Sequence, residues 1–270
     1  MDGLNGQDLQ RQADSLQPEP CLTKAGRERG NMDKLIYILW GPKDQDGKQR
    51  QEVLLQQVAP ALLQAGAKKL TMYIVDQDSD FKSAAPFHPG ERMCADVSLS
   101  LDSLERRAPC EEIIKAAGFR LAGFLVDEVI YTEYGGNRHS GPRNWPDGQR
   151  SPGIIAVTLM ERPKRLTREE WIKRWHGKQS PVSEAMQPRS RYIRNVVVKA
   201  VTPDAPPYEG IVEEAWPSAK HATNPFLFYG AGKNPLKLVW NMIVMLRSVT
   251  SFLDLTRIRT TYTSEYILKS

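Results

Sequence analysis

From residue 35 onward the chain alternates short apolar runs with amphipathic stretches. Leu35 to Trp40 (LIYILW), closed by Gly41 and Pro42, has the length and the Ile, Tyr and Trp content of a buried strand. Between Lys48 and Leu63 the apolar positions Val53, Leu54, Val58, Leu62 and Leu63 keep helical spacing, with Pro60 a kink or boundary and Gly66 a stop. Lys69 to Asp76 and Cys94 to Leu101 read as strands. Cys110 to Gly118 reads as a helix ending on glycine, and Leu121 to Tyr134 as a closing strand. The predicted order is β-α-β-β-α-β.

Residues 136–152 are dense in Gly, Pro, Asn and Arg, a composition that does not build a core element, and they predict a linker. The pattern then restarts. Gly153 to Met160 is a predicted strand, Thr167 opens a helix, and Arg191 to Val201 and Gly210 to Trp216 are strands. A long helix runs from about Leu236 to Leu253, and Thr260 to Leu268 closes the chain. Two βαββαβ units in one chain predict an α+β fold of duplicated ferredoxin-like repeats, residues 32–135 and 153–270. Each repeat has a sheet covered by helices on one face only. Pressing the two bare faces together predicts an intramolecular α/β barrel with a central cavity.

Composition refines this picture modestly. Three cysteines, Cys21, Cys94 and Cys110, have no CxxC spacing and cannot all pair, which supports neither a disulfide framework nor a zinc site and fits a reducing cytoplasm. Residues 1–31 are polar and lack the apolar core of a secretory signal, so they predict a disordered tail. The most apolar run, Leu236 to Leu246, is shorter than the roughly 20 residues a membrane span requires and contains Lys237 and Asn241, so it predicts a buried helix and no membrane association. A net charge of +5, with a basic bias between Arg162 and Lys199, reads as a solvated helix face rather than a nucleic-acid surface. The four histidines have no metal-ligand spacing and no dinucleotide or nucleophile-elbow motif occurs, which predicts neither metal nor cofactor.

Candidate chemistry concentrates between Thr167 and Asn195. Thr167 and Glu170 form a capping-box pattern, Trp171 and Trp175 lie four apart on one helical face, and His176 sits about 100° further round. Gly177 and Pro181 predict a break, with Ser180 as the N-cap of a restarted segment. At such a break His176 is a candidate for proton transfer or, alternatively, a helix cap. On the strand from Gly210, side chains alternate, so one of Glu213 and Glu214 points inward as a candidate acid or base unless Arg191 or Arg194 neutralises it. His221 lies in a Gly- and Pro-rich stretch, Ser218 to Pro235, whose Phe226, Phe228 and Tyr229 suggest either a lid or a packed loop.

Trp171, Trp175, His176 and Pro181 followed by Tyr192-Ile193-Arg194-Asn195, then Gly210-x-x-x-Glu214-x-Trp216, resemble the core of the EthD family over nearly all of the second repeat. The first repeat shares only the fold pattern. The resemblance implies the dimeric α/β-barrel architecture, here made by one chain, and a cavity for small, mostly apolar molecules; some relatives of that architecture bind haem. The expected function is a cofactor-independent enzyme, of oxidoreductase or lyase type, acting on a small apolar or aromatic molecule. His176 with Glu213 or Glu214 would move protons, and Trp171, Trp175, Tyr192, Arg194, Trp216 and His221 would shape the site. The alternative is a non-catalytic binding or accessory protein for a partner oxidase; a homodimer is compatible with either.

Overall fold

A computed structural model describes residues 32–42, 44–80 and 91–270; the predicted tail, Cys21 and His88 lie outside the described residues. Its first repeat runs β1 (Asp33–Trp40), helix α1 (residues 47–64), β2 (Lys69–Ile74), β3 (Ala95–Leu101), α2 (Arg107–Ala116) and β4 (Arg120–Thr132). Its second runs β5 (Ile154–Met160), helix α3 (residues 168–186), β6 (Arg191–Ala200), β7 (Gly210–Trp216), the short helices α4 (Ala219–Thr223) and α5 (Pro225–Phe228), the long helix α6 (Pro235–Phe252) and β8 (Ile258–Lys269). The eight strands close into one barrel in the order β1-β3-β2-β8-β5-β7-β6-β4.

Every pairing in the barrel is antiparallel, and the two repeats meet edge to edge through β2 with β8 and β4 with β6. The long strands make the joints. The N-terminal part of β4 pairs with β1 and its C-terminal part with β6, while β8 pairs first with β5 and then with β2. Closure leaves no strand edge exposed to another chain.

Strand alternation then sorts the side chains into two environments. On β1, Leu35, Tyr37 and Leu39 face outward and pack with Leu54, Val58, Leu62 and Ile114 of the covering helices. Ile36 and Ile38 face the lumen and meet Phe124, Val157, Leu159 and Ile211. Trp171, Trp175, Tyr192, Val196 and Val212 form a separate outer core under α3.

The duplication is visible within the helices. Helix α1 comprises an α-helical segment Gly47–Val53, a π-helical turn Leu54–Val58 and an α-helical segment Ala59–Gln64; α3 comprises Arg168–Arg174, Trp175–Gln179 and Ser180–Met186 in the same sequence of states. Both begin on a capping box, Asp46 with Gln49 and Thr167 with Glu170. Cap, π-turn and proline are equally spaced in the two: Asp46, Leu54 and Pro60 match Thr167, Trp175 and Pro181.

Helix α3 is therefore not broken at Gly177, as the sequence suggested. A proline lacks the N–H that would close its own α-helical turn, and the wider turn absorbs this defect without interrupting the helix. Ser180 has α-helical dihedrals, its N–H reaches the carbonyl of Trp175 in the i to i+5 pattern, and its hydroxyl donates to the same oxygen at 3.2 Å.

Helix α6 also departs from expectation. Of the apolar run predicted as buried, Leu236, Val239, Trp240, Met242, Ile243 and Leu246 are exposed, while Asn241, Met245, Ser248 and Phe252 face the body. Asn241 donates to the carbonyl of Tyr229 at 2.7 Å, which explains why a polar residue can occupy the inner face. Among the described residues no helix is long and apolar enough to cross a membrane.

Candidate functional site

The barrel lumen is not lined by apolar groups alone. Asp96 on β3 is register partner to Tyr73 on β2, which is register partner to Glu265 on β8, so three polar side chains stand in a row across the β2–β8 joint. From the other side come Arg191 and Asn195 of β6 and Glu213 of β7, and Lys34 enters from β1. Each position follows from strand alternation, because Ile211, Glu213 and Ala215 share the inward face of β7.

These groups differ sharply in how well they are satisfied. Glu265 is fully enclosed and fully partnered: Arg191 Nη1 lies 2.9 Å from Oε1 and the Tyr134 hydroxyl donates to Oε2 at 2.8 Å. Arg191 also holds Glu133, with Nε 2.7 Å from Oε1. Glu213, only 2% exposed, accepts no hydrogen bond at either carboxyl oxygen. Its nearest cation is Lys34, whose Nζ lies 3.9 Å from Oε2 and is itself engaged with Glu128 and, at 2.9 Å, with Asn195 Oδ1. The amide of Asn195 is turned to the carbonyl of Ile211 at 3.3 Å. Asp96 likewise has no hydrogen bond at either oxygen.

A carboxylate deprived of water and donors is costly, so such a group tends to keep its proton. Burial raises the pKa of Asp96 well above the usual carboxylate range, the negative charge of Glu213 raises it further, and Lys34 partly offsets both. Burial also raises Glu213, with Lys34 opposing and Glu128 reinforcing the shift, and Arg191 and the nearby Asn195 amide opposing it further. Tyr73 is driven upward by burial and by Glu213 and Glu265, so its hydroxyl remains protonated. The lumen thus holds two carboxyl groups, with the charge of Glu213 disfavouring ionisation of Asp96, beside a phenol and an arginine. Around Tyr73, Arg191, Glu213 and Glu265 the packing leaves no space the size of a water molecule.

The other sequence candidates lie outside the lumen. Glu214 faces the helices and takes Arg189 Nη1 at 2.5 Å; Arg189 is fully buried and also reaches Glu184 and Ser183. Tyr192 accepts from Trp175 Nε1 at 3.1 Å and lies beneath the Arg189 guanidinium, 3.9 Å from its ring centre. Arg194 covers the ring of Tyr131 and donates to Ser180 Oγ at 3.2 Å. Trp171 and Trp175 pack against each other 4.9 Å apart, and both ring tips approach Gly210. Trp216 stacks on Phe228 at 4.8 Å, so the aromatic segment after β7 covers the outside of the sheet rather than the barrel mouth. His221 pairs with Ser218 Oγ at 2.9 Å beside the start of α4.

His176 sits on the π-turn against the edge of Trp175. Burial, reinforced by the nearby Arg194 charge, pushes its pKa down to about 3, and its Nε2 has no hydrogen-bond partner. It stays neutral in the physiological range and is a weak base. The expectation of one cavity containing His176 with either glutamate is not met: Glu213 faces the lumen, whereas His176 and Glu214 belong to the layer between sheet and helix. The fold therefore divides the sequence candidates between two compartments.

Lys34, Tyr73, Asp96 and Glu265, together with the buried Arg189, were missed by sequence reasoning. The pattern Asp96-x-Ser98-x-Ser100, polar at every second position of a strand, was the available signal of a polar inner face. Among the described residues no three His, Cys, Asp or Glu side chains converge as metal ligands, and no described histidine lies on a strand.

No family model and no curated protein matches the chain. Solved structures do resemble it. An anthrone oxidase-like protein aligns at 10% identity with a TM-score of 0.51, over 90% of this chain and 96% of its own. A candidate monooxygenase from Lactobacillus acidophilus NCFM aligns at 5% identity and a TM-score of 0.44, over 88% and 96%. A mutant chlorite dismutase from Candidatus Nitrospira defluvii aligns at 9% identity and a TM-score of 0.44, over 88% and 92%. The shared feature with the first of these is the fold: an α+β chain closed into an eight-stranded antiparallel barrel.

Proposed function

We propose that the chain is a cofactor-independent enzyme of oxidoreductase type that draws a small, mostly apolar or aromatic molecule into the barrel and removes a proton from it. The observation that carries this reading is Glu213: a carboxyl enclosed in the lumen, its pKa raised by burial, whose oxygens meet no donor in good hydrogen-bond geometry. A base in that state gains driving force from the apolar walls, and Lys34 stabilises it when charged. Asp96, held protonated, would supply a proton to the oxygen that leaves as water, and Tyr73 would donate a hydrogen bond to an oxygen on the substrate. The EthD-like tract contributes the rigid outer layer that fixes β6 and β7.

The likeness to an anthrone oxidase-like fold supplies the probe. Anthrone has an acidic CH2 between two aromatic rings. Removing one proton leaves a stabilised carbanion that dioxygen can oxidise, placing one oxygen on carbon as the ketone and releasing the other as water. Entry of a molecule of this size requires Tyr73 and Arg191 to swing away from the closed packing around Glu213.

The competing reading is a barrel that holds a ligand without transforming it. Solvent deuterium exchange at the anthrone CH2 under nitrogen, followed by NMR, separates the two. The enzyme reading expects catalysed exchange, reduced about 100-fold or more by Glu213→Gln and unaffected by Glu214→Gln. Binding of anthrone without accelerated exchange would replace it with the holding role.

A further inference from the structure

Helix α6 carries its greasier side toward water. Leu236, 82% exposed, and Trp240 and Leu246, 53% and 54% exposed, form one stripe with Val239 and Ile243, while the opposite side turns Asn241, Met245, Ser248 and Phe252 inward. The exposed positions 236, 239, 243, 246 and 250 follow the alternating three- and four-residue spacing of a helix–helix seam. A helix whose solvent face is its more apolar face is a contact surface.

We propose that this stripe pairs two copies of the chain, α6 against α6, antiparallel about a two-fold axis. The narrow seam matches a second helix better than a plane. Arg247 lies on the same side, one turn beyond Ile243, so the stripe carries a charge that the hydrocarbon interior of a bilayer disfavours. Helix α6 contains no acidic residue, so parallel pairing would set Lys237 on Lys237 and Arg247 on Arg247; antiparallel crossing near Ile243 sets each cation against apolar residues instead.

The area suffices. The six exposed apolar side chains, Leu236, Val239, Trp240, Met242, Ile243 and Leu246, between 43% and 82% exposed, present roughly 600 Å² per copy, so full coverage of both faces would bury about 1,200 Å², the lower bound of a stable interface. An isologous contact needs no second surface and closes at two copies.

Sedimentation velocity of the full chain across a concentration series tests this. The wild type is expected to be dimeric at micromolar concentration, and Ile243→Glu and Leu246→Lys, both at exposed positions, are expected to be monomeric with unchanged circular dichroism. A wild type that remains monomeric at every concentration overturns the proposal, as does a dimer that survives both substitutions. A monomer that binds phosphatidylglycerol vesicles through the same residues also overturns it, in favour of a membrane-facing helix.

Discussion

Asp96 and Glu213 come from different repeats, yet the charge of Glu213 helps hold Asp96 protonated inside the barrel, and neither carboxyl accepts a hydrogen bond. The stability consequence has a definite sign. A carboxyl whose folded pKa lies above its unfolded value near about 3.9 stabilises the fold below that value, and this contribution is lost as pH rises through the folded pKa. Asp96→Asn mimics the protonated form. It should leave stability near pH 4 almost unchanged and raise it at pH 8 by about 1 to 3 kcal/mol, read from urea midpoints at the two pH values. Equal effects at both pH values would mean that Asp96 is ionised throughout.

His176 acts in the opposite direction. Its folded pKa of about 3 lies below the unfolded value near 6.5, so the unfolded chain binds a proton that the folded chain refuses. The fold should lose up to about 1.4 kcal/mol per pH unit as the pH falls from 6.5 toward 3. His176→Gln should flatten that acid limb while changing stability little at pH 8. Persistence of the full acid slope in the variant would assign it to other groups. In the deuterium-exchange assay His176→Gln should behave as wild type, because the sheet separates it from Glu213.

The fold was legible because its signals are local and redundant: period-two strands, capping boxes at Thr167 and, in structure, at Asp46, and a composition break at 136–152. The site was legible only in part. Alternation showed that Glu213 and Glu214 must face opposite ways, but which of them met the lumen depended on barrel closure, a property of the whole sheet. Asp96 and Lys34 looked unremarkable because their importance comes from partners on distant strands, Glu213 above all. The dense aromatic tract drew attention for a packing reason: Trp171, Trp175 and Tyr192 knit α3 to the sheet. Helix α6 misled because an apolar run predicts burial only when another surface in the same chain covers it.

That packing role yields its own test at Gly210, the first residue of β7. A methyl group there would stand 2.8 Å from both the Met160 terminal carbon and the tip of Trp171, and 3.0 Å from the tip of Trp175. All three neighbours are buried and have little room to retreat. Gly210→Ala should therefore destabilise the chain by about 1 to 3 kcal/mol through overpacking, despite the better strand propensity of alanine. Trp175→Phe in the same background should recover part of the loss, since the shorter ring vacates the contact. Urea denaturation of the single and double variants measures both effects.

Arg189 gives the strongest stability prediction. Its guanidinium is wholly enclosed, with Nη1 2.5 Å from Glu214 Oε1, Nη2 3.1 Å from Glu184 Oε2 and 2.9 Å from Ser183 Oγ, and its face against Tyr192. It ties the end of α3 to β7 through three donor contacts that only a planar fork can make at once. Arg189→Met fits the space but leaves Glu214 and Glu184, both largely covered, without their cation; the expected loss is about 3 to 5 kcal/mol. Arg189→Lys keeps the charge but reaches one carboxylate at a time, so it should recover less than half. Because the group is shielded from solvent, the loss should change little between low and high salt. If Arg189→Met combined with Glu214→Gln is more stable than Arg189→Met alone, the penalty comes from the stranded carboxylate. If the double variant loses further stability, Glu214 holds the layer through contacts other than Arg189.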